Sequence, residues 1–142
     1  MQCRLVVHGT PEYEATVALR FKVLREPLGL TFTQEQLATE ASDLHCALWE
    51  TTDLLACLIL SPLAEGEIKM RQVAVRPDLQ GKGLGRILVE FSEATARDRG
   101  YQDMVLNARD TAVPFYLRLG YELEGDPFTE VGIPHRKMRK RL

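Results

Sequence analysis

Apolar positions along this 142-residue chain change period several times, and each change marks an element. The run Cys3–His8 is β-rich and ends at Gly9, which predicts an opening strand. From Pro11 to about Arg25, the residues Tyr13, Val17, Leu19, Phe21 and Leu24 recur at mainly helical spacing. Thr10 stands before them as an N-cap, with Pro11 at the first helical position. Pro27 and Gly29 stop that helix, and a second, short one is expected from Thr33 to about Glu40. His45–Trp49 and Leu54–Pro62 read as strands, joined by the polar turn Glu50–Asp53 into an antiparallel hairpin. Glu67–Val75 alternates in character and predicts a further strand.

The strongest helical signal runs from Gly85 to about Arg99. Ile87, Leu88, Phe91, Ala94 and Thr95 form its expected apolar stripe, and Gly100 its stop. Asp103–Ala108 is then a strand and Ala112–Leu119 a short helix ended by Gly120. Tyr121–Gly125 starts another strand, and His135–Leu142 closes the chain as the last. The order β-α-α-β-β-β-α-β-α-β-β implies an α/β domain of the α+β kind, with a mixed sheet and helices on its faces. There are no repeats and no linker-like stretches, so residues 1–142 are expected to form a single domain.

Composition narrows the function. An apolar fraction of 45% and a charged fraction of 27% are ordinary for a globular protein. A net charge of −2 gives no global reason for binding nucleic acid or an anionic membrane. The basic tail from His135 to Arg141 is expected to be a solvated edge strand or a fraying terminus. Cys3, Cys46 and Cys57 are an odd number, lack CxxC spacing and sit among apolar residues. They read as buried free thiols, with a reducing cytoplasm as the expected compartment. No cleavable leader pattern is evident, and no run reaches the ~20 apolar residues of a membrane span. His45 and Trp49 read as core and His8 as surface.

The sharpest chemical signal is Gln80-Gly81-Lys82-Gly83-Leu84-Gly85-Arg86, between a strand and the best helix. Glycines let backbone amides approach a ligand without an intervening Cβ. The helix that follows offers unpaired N–H groups and partial positive charge, which suit a pyrophosphate. Lys82 and Arg86 add charge beside it. A glycine-rich turn without a ligand is the alternative. The spacing is not that of a Walker A loop, and in G-x-G-x-G the third glycine comes one residue early for a dinucleotide fingerprint.

Gln80, Gly83 and Gly85 fit [R/Q]-x-x-G-x-[G/A], which resembles motif A of the GNAT superfamily of acetyltransferases. Around it, Arg71–Pro77 resembles that family's fourth strand. Leu106-Asn107-Ala108, followed by Ala112-x-x-Phe115-Tyr116-x-x-x-Gly120-Tyr121, resembles its fifth strand and the helix after it. The likeness is strong over residues 67–125, and the segment from Phe128 to Met138 looks like the small ElaA-like subgroup. It implies a GNAT-like, mostly antiparallel sheet whose fourth and fifth strands splay apart, with acetyl-coenzyme A as cosubstrate and no metal.

The resemblance also implies roles. Val73, Ala74 and Val75 would offer backbone to the pantetheine arm, and a strand-four amide would polarise the thioester carbonyl. The amides from Gly81 to Arg86 would hold the pyrophosphate, and Asn107 and Phe115 would line the cofactor channel. Tyr116 would be the general acid that protonates the departing thiolate. The general base stays open between Glu67, Glu130, His135 and water. The acceptor would be a small-molecule or peptide amine, with Glu26, Glu35 and Glu40 near its pocket; dimers are common in the family, and the sequence does not decide whether this chain forms one. A domain of the same fold that binds coenzyme A without turnover is the alternative reading.

Overall fold

A computed structural model describes residues 1–142 and contains the expected elements in the expected order. These are β1 (Gln2–Val6), α1 (Pro11–Arg20), α2 (Gln34–Thr39), β2 (Leu44–Glu50), β3 (Asp53–Pro62) and β4 (Glu67–Val75). They continue with α3 (Leu84–Asp98), β5 (Asp103–Arg109), α4 (Val113–Arg118), β6 (Glu122–Glu130) and β7 (Ile133–Arg141). The strands form one sheet in the order β1-β2-β3-β4-β5-β7-β6. Every neighbouring pair is antiparallel except β4 and β5, which run parallel. No helix is long and apolar enough to cross a membrane.

Strand alternation sends side chains to two cores. On β2, Cys46 and Leu48 join the main cluster with Leu88, Met104 and Tyr121, whereas Ala47 and Trp49 pack with Val6 and Tyr13 of α1. Helices therefore cover both faces, α1 on one and α3 on the other. Cys46 and Cys57 are buried free thiols, and burial pushes both up to about 12.

Three details depart from the sequence reading. The helix after Pro11 is α-helical only to Arg20; Phe21–Arg25 continues as a wider π-helical turn before Gly29. The buried face of α3 is Leu84, Leu88, Val89, Ser92, Glu93 and Ala96, rotated from the expected stripe, and Ile87 is exposed. A buried glutamate is what disguises that face. Glu93 accepts hydrogen bonds from Tyr121 Oη at 2.7 Å and Lys140 Nζ at 3.1 Å, so its charge is satisfied inside the fold. The basic tail, lastly, is not an edge: β7 lies between β5 and β6, paired on both sides, and β6 takes the edge.

A second buried polar cluster lies under α1. Arg20 is fully buried and donates through Nη2 to Glu40 Oε1 at 2.8 Å and through Nη1 to Gln72 Oε1 at 2.9 Å. Tyr13 Oη donates to Glu40 Oε1 at 2.7 Å. Burial alone would raise the Glu40 carboxyl, but hydrogen bonds from Arg20 and Tyr13 outweigh it and hold the group below the usual carboxylate range. Tyr13→Phe removes one charge-assisted hydrogen bond and should cost about 1.5–3 kcal/mol in urea unfolding at neutral pH. A lowered folded-state pKa adds stability that is present above the unfolded pKa and lost as pH falls through the folded one. The difference between wild type and variant should therefore shrink in acid; a difference independent of pH would deny that the ionised Glu40 is the acceptor.

Candidate active site

Parallel pairing between β4 and β5 covers only Glu67–Met70 against Asp103–Leu106. Beyond Met70, β4 stays bonded to β3 and β5 stays bonded to β7, so the two strands diverge and leave an opening. A bulge sits where the divergence starts. Leu58 stands against both Gln72 and Val73, since Ile59 pairs with Arg71 and Cys57 with Ala74. Gln72 takes a positive φ of 51°, unusual for a residue with a side chain. The buried Arg20 grips its amide oxygen, which ties the bulge to the Arg20–Glu40 pair. The extra residue reverses the alternation: Val73 and Val75 pack with the α3-side core, while Ala74 turns to Leu19 and Cys57.

Two cavities meet at this opening. One, of about 610 Å³, is lined by Val73, Val75, the glycine loop, Phe115 and Arg118. The other, of about 640 Å³, opens between the π-helical turn, β4, β5 and β7. Val23, Val73, Gln80, Ala112 and Tyr116 line both.

The glycine loop leaves open space on its outer side. Gly81 and Gly83 hold φ of 81° and 82°, and a Cβ on either would meet no protein atom within 4 Å. Gly83 caps α3, so the amides of Leu84, Gly85 and Arg86 lack intrahelical acceptors at the positive end of the helix dipole. Gly85 has another reason. A Cβ there would lie 3.3 Å from Phe115 Cζ, so glycine lets that ring close against the loop. Gln80 Nε2 donates to the Val75 carbonyl at 3.2 Å, tying the loop to the end of β4. Lys82 and Arg86 are exposed, and Arg86 pairs with Glu90 at 2.7 Å.

Tyr116 is buried, in edge contact with Phe115 at 5.0 Å and Tyr121 at 5.6 Å. Its hydroxyl makes no hydrogen bond to protein, nor is it a sealed, orphaned polar atom. Tyr116 lines both cavities, and its hydroxyl has no partner within the protein. Burial pushes this phenol up to about 12, so it remains protonated at neutral pH.

Other expected residues separate. Phe115 lines the loop-side cavity, but Asn107 lines the far one, and Ala74 lines neither. Glu67 stands at the closed end of the strand pair, bound to Arg139, whereas Glu130 and His135 line the far cavity. Glu26 and Glu35 are exposed outside that cavity, and Glu40 is spent on Arg20. His135 Nδ1 is 2.8 Å from the Ile133 carbonyl, which can only accept, so that nitrogen carries the proton. Nε2 lies 3.5 Å from Glu130 Oε2. Gln72, Val23 and Ala112 were not foreseen as lining residues: Gln72 is placed by the bulge in β4, Val23 by the π-helical turn and Ala112 by the turn before α4, none of which leaves a mark in composition.

Residues 25–142 match the family model of the acetyltransferase (GNAT) domain. The Bacillus subtilis (strain 168) protein called uncharacterized N-acetyltransferase YjcF is 35% identical over 79 residues, 55% of this chain and 56% of that protein. The chain's matches span about half the length of the curated relatives. A solved Lactobacillus plantarum structure covers 100% of this chain and 99% of its own at a TM-score of 0.87 and 26% identity. Escherichia coli ElaA superposes with a TM-score of 0.84 at 18% identity, each chain 99% covered. An aminoglycoside 6'-N-acetyltransferase complexed with coenzyme A superposes at 0.82 and 13% identity, covering 99% of this chain and 97% of its own. For these last two, the likeness is one of fold.

Proposed function

The chain belongs to the GNAT acetyltransferase family, and on that premise we propose that residues 1–142 form one catalytic domain, an acetyl-coenzyme A-dependent N-acetyltransferase acting on a primary amine. The observation that carries this reading is the free Tyr116 hydroxyl where two cavities join, one beside a phosphate-binding loop and one open to an acceptor. The cofactor lies along the open side of β4, with Val73, Ala74 and Val75 offering backbone groups. Its pyrophosphate meets the amides from Gly81 to Arg86, and Gln80 and Phe115 shape the channel.

The amine attacks the thioester carbonyl from the far cavity in a ternary complex. A β4 amide takes charge from the tetrahedral oxyanion, and collapse breaks the carbon–sulfur bond. The nitrogen loses two protons and the sulfur gains one. Tyr116 gives its proton to the thiolate, and the nitrogen's protons leave through Tyr116 and a base. We assign that base to His135 Nε2, where an added proton would be paired by Glu130. Against a thiol of about 8.5, donation from a phenol near 12 is uphill by about 5 kcal/mol. Desolvation of the sulfur in the same apolar cleft narrows that gap, because it raises the thiolate's proton affinity too.

The test is free-thiol release from acetyl-coenzyme A across an amine panel, with mass analysis of the amine. Release that needs both protein and amine, with an acetylated amine as product, is the expected result. Calorimetric binding of coenzyme A with no amine-dependent release would instead make the domain a binding module.

A further inference from the structure

The far cavity is electropositive in a chain whose net charge is −2. Arg25, Lys69, Arg71 and Arg109 line it, and Glu130 is its one carboxylate. No carboxylate lies within 4.0 Å of Arg25, Lys69 or Arg109. Arg71 has only a loose contact, 3.8 Å to Asp43, and a hydrogen bond to Ser61 Oγ at 3.1 Å. The Arg25 guanidinium lies 4.6 Å from the centre of the Phe32 ring, a contact that orients it without neutralising it. Some cations elsewhere are paired, as in Arg20–Glu40, Arg76–Asp78 and Lys140–Glu93, and others on the surface, such as Lys22 and Arg97, are not; what sets this cluster apart is that its cations line one cavity.

Backbone register concentrates these charges. Lys69 and Arg71 are two apart on β4 and so share a face. Arg109 stands on β5 opposite His135, beyond the point where β4 and β5 part. The glycine loop is on the other cavity, which Arg86 and Arg118 also line, so on the acetyltransferase reading the far cluster is left for the second substrate. Its one carboxylate, Glu130, faces His135.

Resting on the acetyltransferase reading, we infer that the acceptor is a small amine that also carries an anionic oxygen group, a carboxylate or a phosphate, held by Lys69, Arg71 and Arg109 with Arg25 at the rim. Glu26, Glu35 and Glu40, expected near the acceptor pocket, do not line this cavity. A charge-assisted hydrogen bond to such an anion gives about 10- to 100-fold in kcat/KM over an uncharged analogue.

Matched pairs test it, with acetylated product measured by mass: glycine against glycinamide, β-alanine against its amide, and O-phosphoethanolamine against ethanolamine. The anionic member of at least one pair should be preferred by that factor, and which pair responds separates carboxylate from phosphate. Lys69→Gln and Arg109→Gln should each raise KM for the anionic member and flatten the preference, with the KM for acetyl-coenzyme A unmoved. Equal or better use of the uncharged members, or a preference that survives both variants, overturns the inference. If no amine is acetylated the transferase reading fails, and the anion site is still measured by titrating N-acetyl-β-alanine and its amide into the protein–coenzyme A complex. Tighter binding of the acid, lost in both variants, supports the site; indifference between the two ligands refutes it.

Discussion

Tyr116→Phe is expected to lower kcat by about 10²–10⁴-fold while coenzyme A binding changes little. The ring keeps its edge contacts with Phe115 and Tyr121, and no hydrogen bond inside the protein is lost, because the hydroxyl makes none. What disappears is the proton available to the sulfur as the carbon–sulfur bond breaks. The loss should shrink with an acyl donor whose thiol has a lower pKa, since a better leaving group needs less help. Burial sets the pH behaviour. With the phenol pushed up to about 12, its acid form persists through the ordinary assay range, so wild type should show no alkaline limb from Tyr116 there. Single-turnover measurements isolate the chemical step, and an unchanged rate in the Phe variant would make Tyr116 a packing residue and water the proton donor.

Gly83→Val should abolish measurable coenzyme A binding in a protein that still folds. The left-handed backbone at Gly83 makes any branched side chain costly, by about 1–2 kcal/mol. Its Cβ would meet no protein atom within 4 Å, so on the phosphate-loop reading the added carbons stand where the ligand would approach the α3 amides. Blocking about two charge-assisted hydrogen bonds, each worth roughly 1.5–3 kcal/mol, corresponds to about 10²–10⁴-fold in affinity. Gly100→Val separates strain from occlusion. Gly100 has a φ of 89° and equally open surroundings, but sits past the other end of α3, beyond Asp98. Its substitution should cost similar stability in thermal unfolding and leave calorimetric binding intact. Equal binding losses in the two variants, or full binding by Gly83→Val, would remove the phosphates from the loop.

Local patterns in the chain were enough to set the order of elements. Helical and alternating periods, Thr10 before Pro11, and glycines at the helix ends act over a few residues, so they are readable wherever they occur. The glycine loop was legible for the same reason: it is a contiguous run placed between a strand and a helix. The spacing from Ala112 to Tyr121 likewise singled out Tyr116, because one short helix and its glycine stop hold that tyrosine in place.

Tertiary structure decided what depends on partners far along the chain. Arg20 and Glu93 are buried charges that only Glu40 and Gln72, or Tyr121 and Lys140, arriving from far along the chain, satisfy. The bulge at Gln72 is held by β3 and by a buried arginine 52 residues away, and it turns Val73 and Val75 toward the α3 side. Placing β7 between β5 and β6 made a basic tail into an interior strand and brought His135 opposite Arg109. The charge of the far cavity has the same origin. Arg25, Lys69, Arg71 and Arg109 are scattered through the sequence among acidic neighbours, and only the parting of two parallel strands gathers them around one opening.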